Sequence, residues 1–160
     1  MKTLRFVTIM LTALSMGAAF AHLLEMPAKR NYDGRLWLRV QQTLYPGFGA
    51  VAGPCEVAAV PAGAALIVAS RKRPRAFPWT VLGASCAVAT QAIFWIFVAP
   101  VNAAMVPLTP DTLPADWTHL RDQWEYSHAT RAILQIIGLG AYVLSILAET
   151  PQRENLKPHV

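Results

Sequence analysis

The sequence predicts an all-α integral membrane protein, a bundle of four transmembrane helices. Of its 160 residues, 54% are hydrophobic and only 14% are charged, and the mean hydropathy is +0.35. A helix needs about 20 apolar residues to cross the hydrocarbon of a bilayer. The chain has four such runs in one predicted domain, residues 1–148, followed by a polar tail at 149–160. The predicted spans cover about residues 4–25, 48–70, 77–99 and 124–148.

The first span, residues 4–25, has two interpretations. Ala19-Phe20-Ala21 fits a signal-peptidase site, and cleavage there would leave His22 as a free amino-terminal histidine that could chelate copper. The alternative is an uncleaved transmembrane helix. A polar stripe at helical spacing favours this alternative, because a cleaved segment has no reason to carry one. The stripe consists of Thr8, Ser15, Ala18, His22 and Glu25.

A short amphipathic segment is predicted between the first and second spans. Leu36, Val40 and Leu44 recur in it at helical spacing. Such a segment commonly lies on the membrane surface with its apolar side chains in the lipid. Three tryptophans are interpreted first as an aromatic belt at the membrane–water interface and second as a platform for a substrate, namely Trp37, Trp117 and Trp124.

The second span, residues 48–70, carries small residues on one face. Gly49, Gly53 and Gly63 share this face with Glu56. Small side chains allow the backbones of two membrane helices to approach closely. We therefore expect this face to pack tightly against another helix.

The basic loop at residues 71–75 orients the protein. Short loops rich in lysine and arginine remain in the cytoplasm, so this loop places both termini there. In this orientation eight of the Lys and Arg residues are cytoplasmic and six are on the other side. In a bacterium the membrane would be the inner membrane.

Several function classes are excluded by motif and charge. The net charge of +5 comes largely from residues beside apolar runs, which indicates contact with the lipid bilayer rather than with nucleic acid. The two cysteines form no CxxC pair, so thiol exchange is not indicated. The chain contains no GxxxxGK[ST] loop and no GxGxxG turn, which excludes these nucleotide sites.

The fourth span is an apolar helix with one polar stripe. The residues of this stripe are spaced alternately four and three positions apart, so their side chains lie on one face of the helix. We expect the helix to extend beyond the membrane, from about residue 115 to residue 148. An arginine at membrane depth costs roughly 2.5–3.5 kcal/mol, so Arg131 needs a partner. The stripe consists of Trp124, His128, Arg131, Gln135, Gly138, Tyr142 and Ser145.

Polar residues from all four spans are predicted to converge in the outer half of the bundle. The predicted orientation gives them a similar depth, and ionisable groups inside a membrane indicate a functional site. We expect Arg131 to pair with Glu56 or Glu25, because an unpaired buried charge is costly. The predicted site comprises His22, Glu25, Glu56, Asn102, His128 and Arg131.

These residues resemble a known pattern, that of the anthrone-oxygenase-like family of small four-helix membrane proteins. The resemblance implies a four-helix membrane bundle and polar roles for Asn102, His128 and Arg131. Some fungal members oxidise anthrones to anthraquinones with molecular oxygen, whereas most bacterial members have no assigned role. The residues that carry the resemblance are Pro100-Val101-Asn102 after the third span, Trp124, His128 and Arg131 in the fourth, and His22 in the first.

The first hypothesis is a membrane oxidoreductase or oxygenase that acts on a lipophilic phenolic or quinone-like molecule. His128 would be the general base. Arg131 and Asn102 would stabilise the resulting enolate or phenolate. Glu56 would relay protons or hold Arg131 in place.

Two other hypotheses follow from the same residues. His22 and His128 could ligate a b-type haem, or could ligate copper together with Glu25 or Glu56. Alternatively the protein binds no cofactor, and its polar stripes only set the register of the helices. It would then be a non-enzymatic accessory subunit of a larger membrane complex or a small structural membrane protein. The partners expected besides lipid are a larger membrane complex or further copies of the chain in a homo-oligomer.

Overall fold

The computed structural model describes residues 1–150, and these residues form helices and turns without any β-strand. Four helices are long and apolar enough to span a membrane, which confirms the predicted fold class of a multi-pass integral membrane protein. The part of the predicted tail after Thr150 lies outside the described residues. The spanning helices are helix 1 (Lys2–Lys29), helix 2 (Tyr45–Ser70), helix 3 (Phe77–Met105) and helix 4 (Trp117–Leu147). A short helix, Gly34–Thr43, joins helix 1 to helix 2.

The four helices form a ring in chain order. Helix 4 packs mainly on helices 1 and 3, and helix 2 packs on the same two helices from the other side. One end of the bundle, here named the basic end, carries the 71–76 turn and the end of helix 4. The opposite end, named the site end, carries the short helix and the 106–116 connection. That the basic end is cytoplasmic stays a prediction.

Helix 3 continues past Pro100, although the sequence predicted its end near residue 99. Proline lacks the N–H that an α-helix needs, and the structure accommodates it with a π-helical turn at Phe94–Val98. The helix then resumes over Ala99–Met105. The side-chain amide of Gln123 donates to the carbonyl oxygen of Phe97 at 2.9 Å. This hydrogen bond satisfies a backbone acceptor inside the π-helical turn.

The short helix packs one face on the bundle, and its position at the membrane surface stays a prediction. Its inward face carries Trp37 and Leu38, which are fully buried, while Leu36 and Leu44 are exposed. Trp37 belongs to a buried core at the site end of the bundle. Trp124 is buried in the same core, so the aromatic-belt interpretation is wrong for both tryptophans. The core comprises Trp37, Leu38, Tyr45, Val98, Val101, Met105 and Trp124.

Close helix contact occurs where Tyr142 of helix 4 meets the glycines of helices 2 and 3. A Cβ atom on Gly83 would lie 2.8 Å from a ring carbon of Tyr142, and one on Gly63 would lie 2.5 Å from its hydroxyl oxygen. The predicted tight packing is therefore confirmed at Gly63. A flat, buried ring can shift little, so neither glycine tolerates a larger side chain.

We expect Gly83→Ala to lower the free energy of unfolding by about 1–3 kcal/mol, the usual cost of overpacking. The control is Gly140→Ala on the exposed face of helix 4, where a Cβ would meet nothing within 4 Å. This change should be neutral or slightly stabilising, because alanine favours a helix over glycine. Equilibrium unfolding in mixed micelles measures both variants, and equal stabilities would contradict the packing.

Candidate functional site

Arg131 and Glu56 form a buried ion pair inside the bundle. Nη2 of Arg131 donates to Oε2 of Glu56 at 2.6 Å, and both side chains are about nine-tenths buried. The structure thus selects Glu56 over Glu25 from the two predicted partners. Glu25 instead accepts a hydrogen bond from the hydroxyl of Tyr45 at 2.6 Å. Pairing offsets the cost of removing the guanidinium and the carboxylate from water.

Arg131 also determines which nitrogen of His128 carries the proton. Nη1 of Arg131 lies 3.0 Å from Nδ1 of His128. A guanidinium can only donate, so Nδ1 accepts and the imidazole proton resides on Nε2. His128 therefore offers an N–H donor rather than a free lone pair. This geometry favours a donor role for His128 over the predicted role of general base.

His22 lies next to His128 and keeps a free lone pair. The two ring centres are 4.7 Å apart. Nδ1 of His22 lies 3.8 Å from Oε2 of Glu25, beyond hydrogen-bond distance, and within residues 1–150 it has no hydrogen-bond partner. His22 is thus the imidazole of the pair that can accept a proton.

Trp124 orients the amide of Asn102. The indole Nε1–H donates to Oδ1 of Asn102 at 2.9 Å. An indole has no acceptor, so the amide oxygen must be the atom turned toward it, which leaves the NH₂ group of Asn102 free to donate. The ring of Trp124 also contacts the ring of His128, with centres 3.9 Å apart. Trp124 therefore contacts two of the predicted site residues, Asn102 through a hydrogen bond and His128 through its ring.

A cavity of about 730 Å³ connects these groups. Five of the six predicted site residues line it, and Glu25 does not. Ligand pockets commonly measure about 300–1,000 Å³, so the volume suits a small organic molecule. Apolar side chains from helices 2 and 3 line much of the remaining wall. The lining site residues are His22, Glu56, Asn102, His128 and Arg131.

A haem does not fit between His22 and His128. Histidines on opposite sides of one iron need ring centres about 6 Å apart, because each metal–nitrogen bond is about 2 Å and the nitrogen lies ~1 Å from the ring centre. The observed 4.7 Å is too short, and the two planes are tilted by 54°. The rings of Tyr45, Phe48 and Trp124 surround His22 at 4.6–5.1 Å and occupy the neighbouring space.

The copper hypothesis also lacks a ligand set. Nδ1 of His128 and one oxygen each of Glu25 and Glu56 are already engaged in other contacts. Within the described residues, no group of three or more His, Cys, Asp or Glu side chains is arranged to hold a metal ion. The guanidinium of Arg131 next to His128 would further oppose a bound cation.

Lys29 and Glu125 form a second buried ion pair, which was not predicted from the sequence. Nζ of Lys29 lies 2.8 Å from Oε1 of Glu125, and the side chains are 2% and 1% exposed. The ammonium lies between two rings, 4.6 Å from that of Tyr45 and 4.2 Å from that of Trp124. One more helical turn of the first polar stripe, beyond His22 and Glu25, would have identified Lys29.

No protein-family model, curated protein or solved structure matches this chain. The resemblance to the anthrone-oxygenase-like family therefore stays a prediction from the motif residues.

Proposed function

We propose that this protein is a membrane oxidoreductase that acts on a lipophilic phenolic or quinone-like molecule by cofactor-independent acid–base chemistry. The observation that carries the proposal is the convergence of His22, His128, Arg131 and Glu56 on one large cavity. The outer surface of the spanning helices is largely apolar. Charged groups at such depth are costly, and they are typical of sites that act on a substrate.

In the proposed reaction, His22 removes a proton from an acidic C–H or O–H of the substrate. Its lone pair is free, whereas that of His128 is engaged by Arg131. The negative charge that develops on the substrate oxygen is stabilised by N–H donors of His128 and Asn102 and by the positive charge of Arg131. Glu56 holds Arg131 in position. His22 keeps the proton until it returns it to the reduced oxygen, where it becomes part of the released water.

The oxidant is molecular oxygen, as the resemblance implies. The carbanion formed by proton removal transfers electrons to O₂, and an activated CH₂ becomes a carbonyl while one water is released. One CH₂ and one O₂ give one C=O and one H₂O, so the reaction needs no other electron acceptor. The protein supplies the base, the hydrogen-bond donors and the apolar cavity.

Proton removal can be tested separately from oxidation. The purified full chain is incubated with an anthrone in D₂O without oxygen, and deuterium exchange at the acidic C–H is followed by NMR. Consumption of O₂ is then measured in air. We expect His22→Gln to slow both reactions by at least about 100-fold, the usual contribution of a positioned base.

The matched control is His119→Gln, because His119 is exposed near the start of helix 4 and does not line the cavity. This variant should retain full exchange and full O₂ consumption. A wild-type protein that neither exchanges protons nor consumes O₂ would refute the proposal. Full activity in a folded His22→Gln variant would refute the role of His22.

A further inference from the structure

We propose that the ligand is an amphiphile whose oxygen-bearing ring lies at the cluster of charged residues and whose alkyl tail leaves the cavity between helices 2 and 3 into the bilayer. The nature of the ring rests on the proposed function. The path of the tail rests on the shape of the cavity, which the proposed function did not use.

Helices 2 and 3 are packed together at the basic end and separated at the site end. Helix 2 packs on the Phe77–Ile93 part of helix 3, where a Cβ on Gly63 would lie only 3.2 Å from that of Ala84. It has no comparable packing on the Phe94–Met105 part. The ring of helices is therefore open on this side, at the level of the cavity.

Gly49 and Gly53 of helix 2 border this opening. Both line the cavity, and a Cβ on either would meet nothing within 4 Å. The predicted tight packing of this face is therefore wrong at these two positions. Glycine has no side chain, so a neighbouring helix can approach closely, as one does at Gly63. At Gly49 and Gly53 no helix approaches, and the missing side chains leave an empty passage.

The rim of the opening is apolar and continuous with the surface that faces lipid. Val57 on helix 2, Trp95 on helix 3 and Val106 beyond its end all line the cavity, yet they are 56%, 65% and 79% exposed. Side chains with one part in the cavity and another outside define a passage to the bilayer. An alkyl chain in this passage would lie against apolar surface along its whole length.

The opposite wall selects the head group. Helices 1 and 4 meet across the ring from the opening, and they contribute His22, His128 and Arg131. The donors of His128 and Arg131 suit a carbonyl, phenol or phenolate oxygen. A cationic head would be repelled by Arg131, whose charge lies next to the cavity. A polar wall facing an apolar passage fits a molecule with one polar end and one long apolar end.

The inference is tested with radiolabelled 4-alkylphenols that carry butyl, octyl or hexadecyl chains. Equilibrium binding to the full chain in lipid nanodiscs is measured, and affinity is expressed per mole fraction in the membrane, which removes the effect of partitioning. We expect the hexadecyl compound to bind at least as well as the butyl compound. Gly53→Leu should weaken hexadecyl binding by at least about tenfold, which corresponds to 1.4 kcal/mol, because the added side chain fills the passage.

The control is Gly17→Leu, an exposed position on helix 1 that does not line the cavity. It should leave binding of all three compounds unchanged. Gly49→Leu provides a second block of the passage if Gly53→Leu does not fold, and it should also weaken hexadecyl binding. Rejection of the hexadecyl compound by the wild type, or unchanged hexadecyl binding in the blocked variants, would overturn the inference while leaving the proposed function intact. Failure of all three phenols to bind would overturn both.

Discussion

Lys29→Met is expected to lower the free energy of unfolding by about 3–5 kcal/mol, because it leaves Glu125 as an uncompensated buried charge. Lys29 and Glu125 are almost completely buried, and their 2.8 Å contact joins helix 1 to helix 4. Most of this loss comes from removing one partner only. We therefore expect the double variant Lys29→Met/Glu125→Leu to recover most of the stability, since it buries no charge.

An exposed ion pair provides the matched control for this prediction. Arg35 and Asp111 are 2.7 Å apart, but their side chains are 70% and 80% exposed. Arg35→Met should cost less than about 1 kcal/mol, since solvent screens such a pair. Unfolding in mixed micelles compares the three variants under one set of conditions. A loss for Lys29→Met no larger than that for Arg35→Met would show that the buried pair contributes little.

Arg131→Met should produce the second large loss, again about 3–5 kcal/mol, because Glu56 would then be a buried carboxylate without its partner. The change also removes the group that engages Nδ1 of His128. The ring of His128 would no longer be held with its proton on Nε2. This single variant therefore disturbs both stability and the proposed chemistry, and it does not separate the two.

The double variant Arg131→Met/Glu56→Leu separates them. It removes both charges, so we expect stability close to that of the wild type, measured by the same unfolding experiment. If Arg131 stabilises negative charge on the substrate, turnover should still fall by about 100- to 1,000-fold. A double variant with restored stability and full turnover would show that the ion pair only holds helices 2 and 4 together.

Part of the site could be predicted because a membrane makes polar residues informative. A histidine, an arginine or a glutamate inside an apolar run must face protein rather than lipid, so the stripe through His128 and Arg131 was readable from spacing alone. The same reasoning placed His22, Glu56 and Asn102 at a similar depth, and the structure brings all five around one cavity.

Other features could not be read from spacing. Periodicity assigns a residue to a face of its helix, but it does not show which face of a neighbour lies opposite. Glu125 lies beside the predicted stripe, so its contact with Lys29 became visible only when helices 1 and 4 were packed together. Spacing also did not show that Trp37 meets the bundle rather than the lipid.

The four spanning helices and the polar interior follow from the amino-acid sequence alone. The physical reason is that lipid accepts only long apolar segments whose backbone groups are paired within the helix. The packing of the helices shows that Arg131 pairs with Glu56 and that its contact leaves the proton of His128 on Nε2. The same packing shows that the glycine face of helix 2 is closely packed at Gly63 and open at Gly53, because the space in front of a glycine depends on whether another helix approaches it.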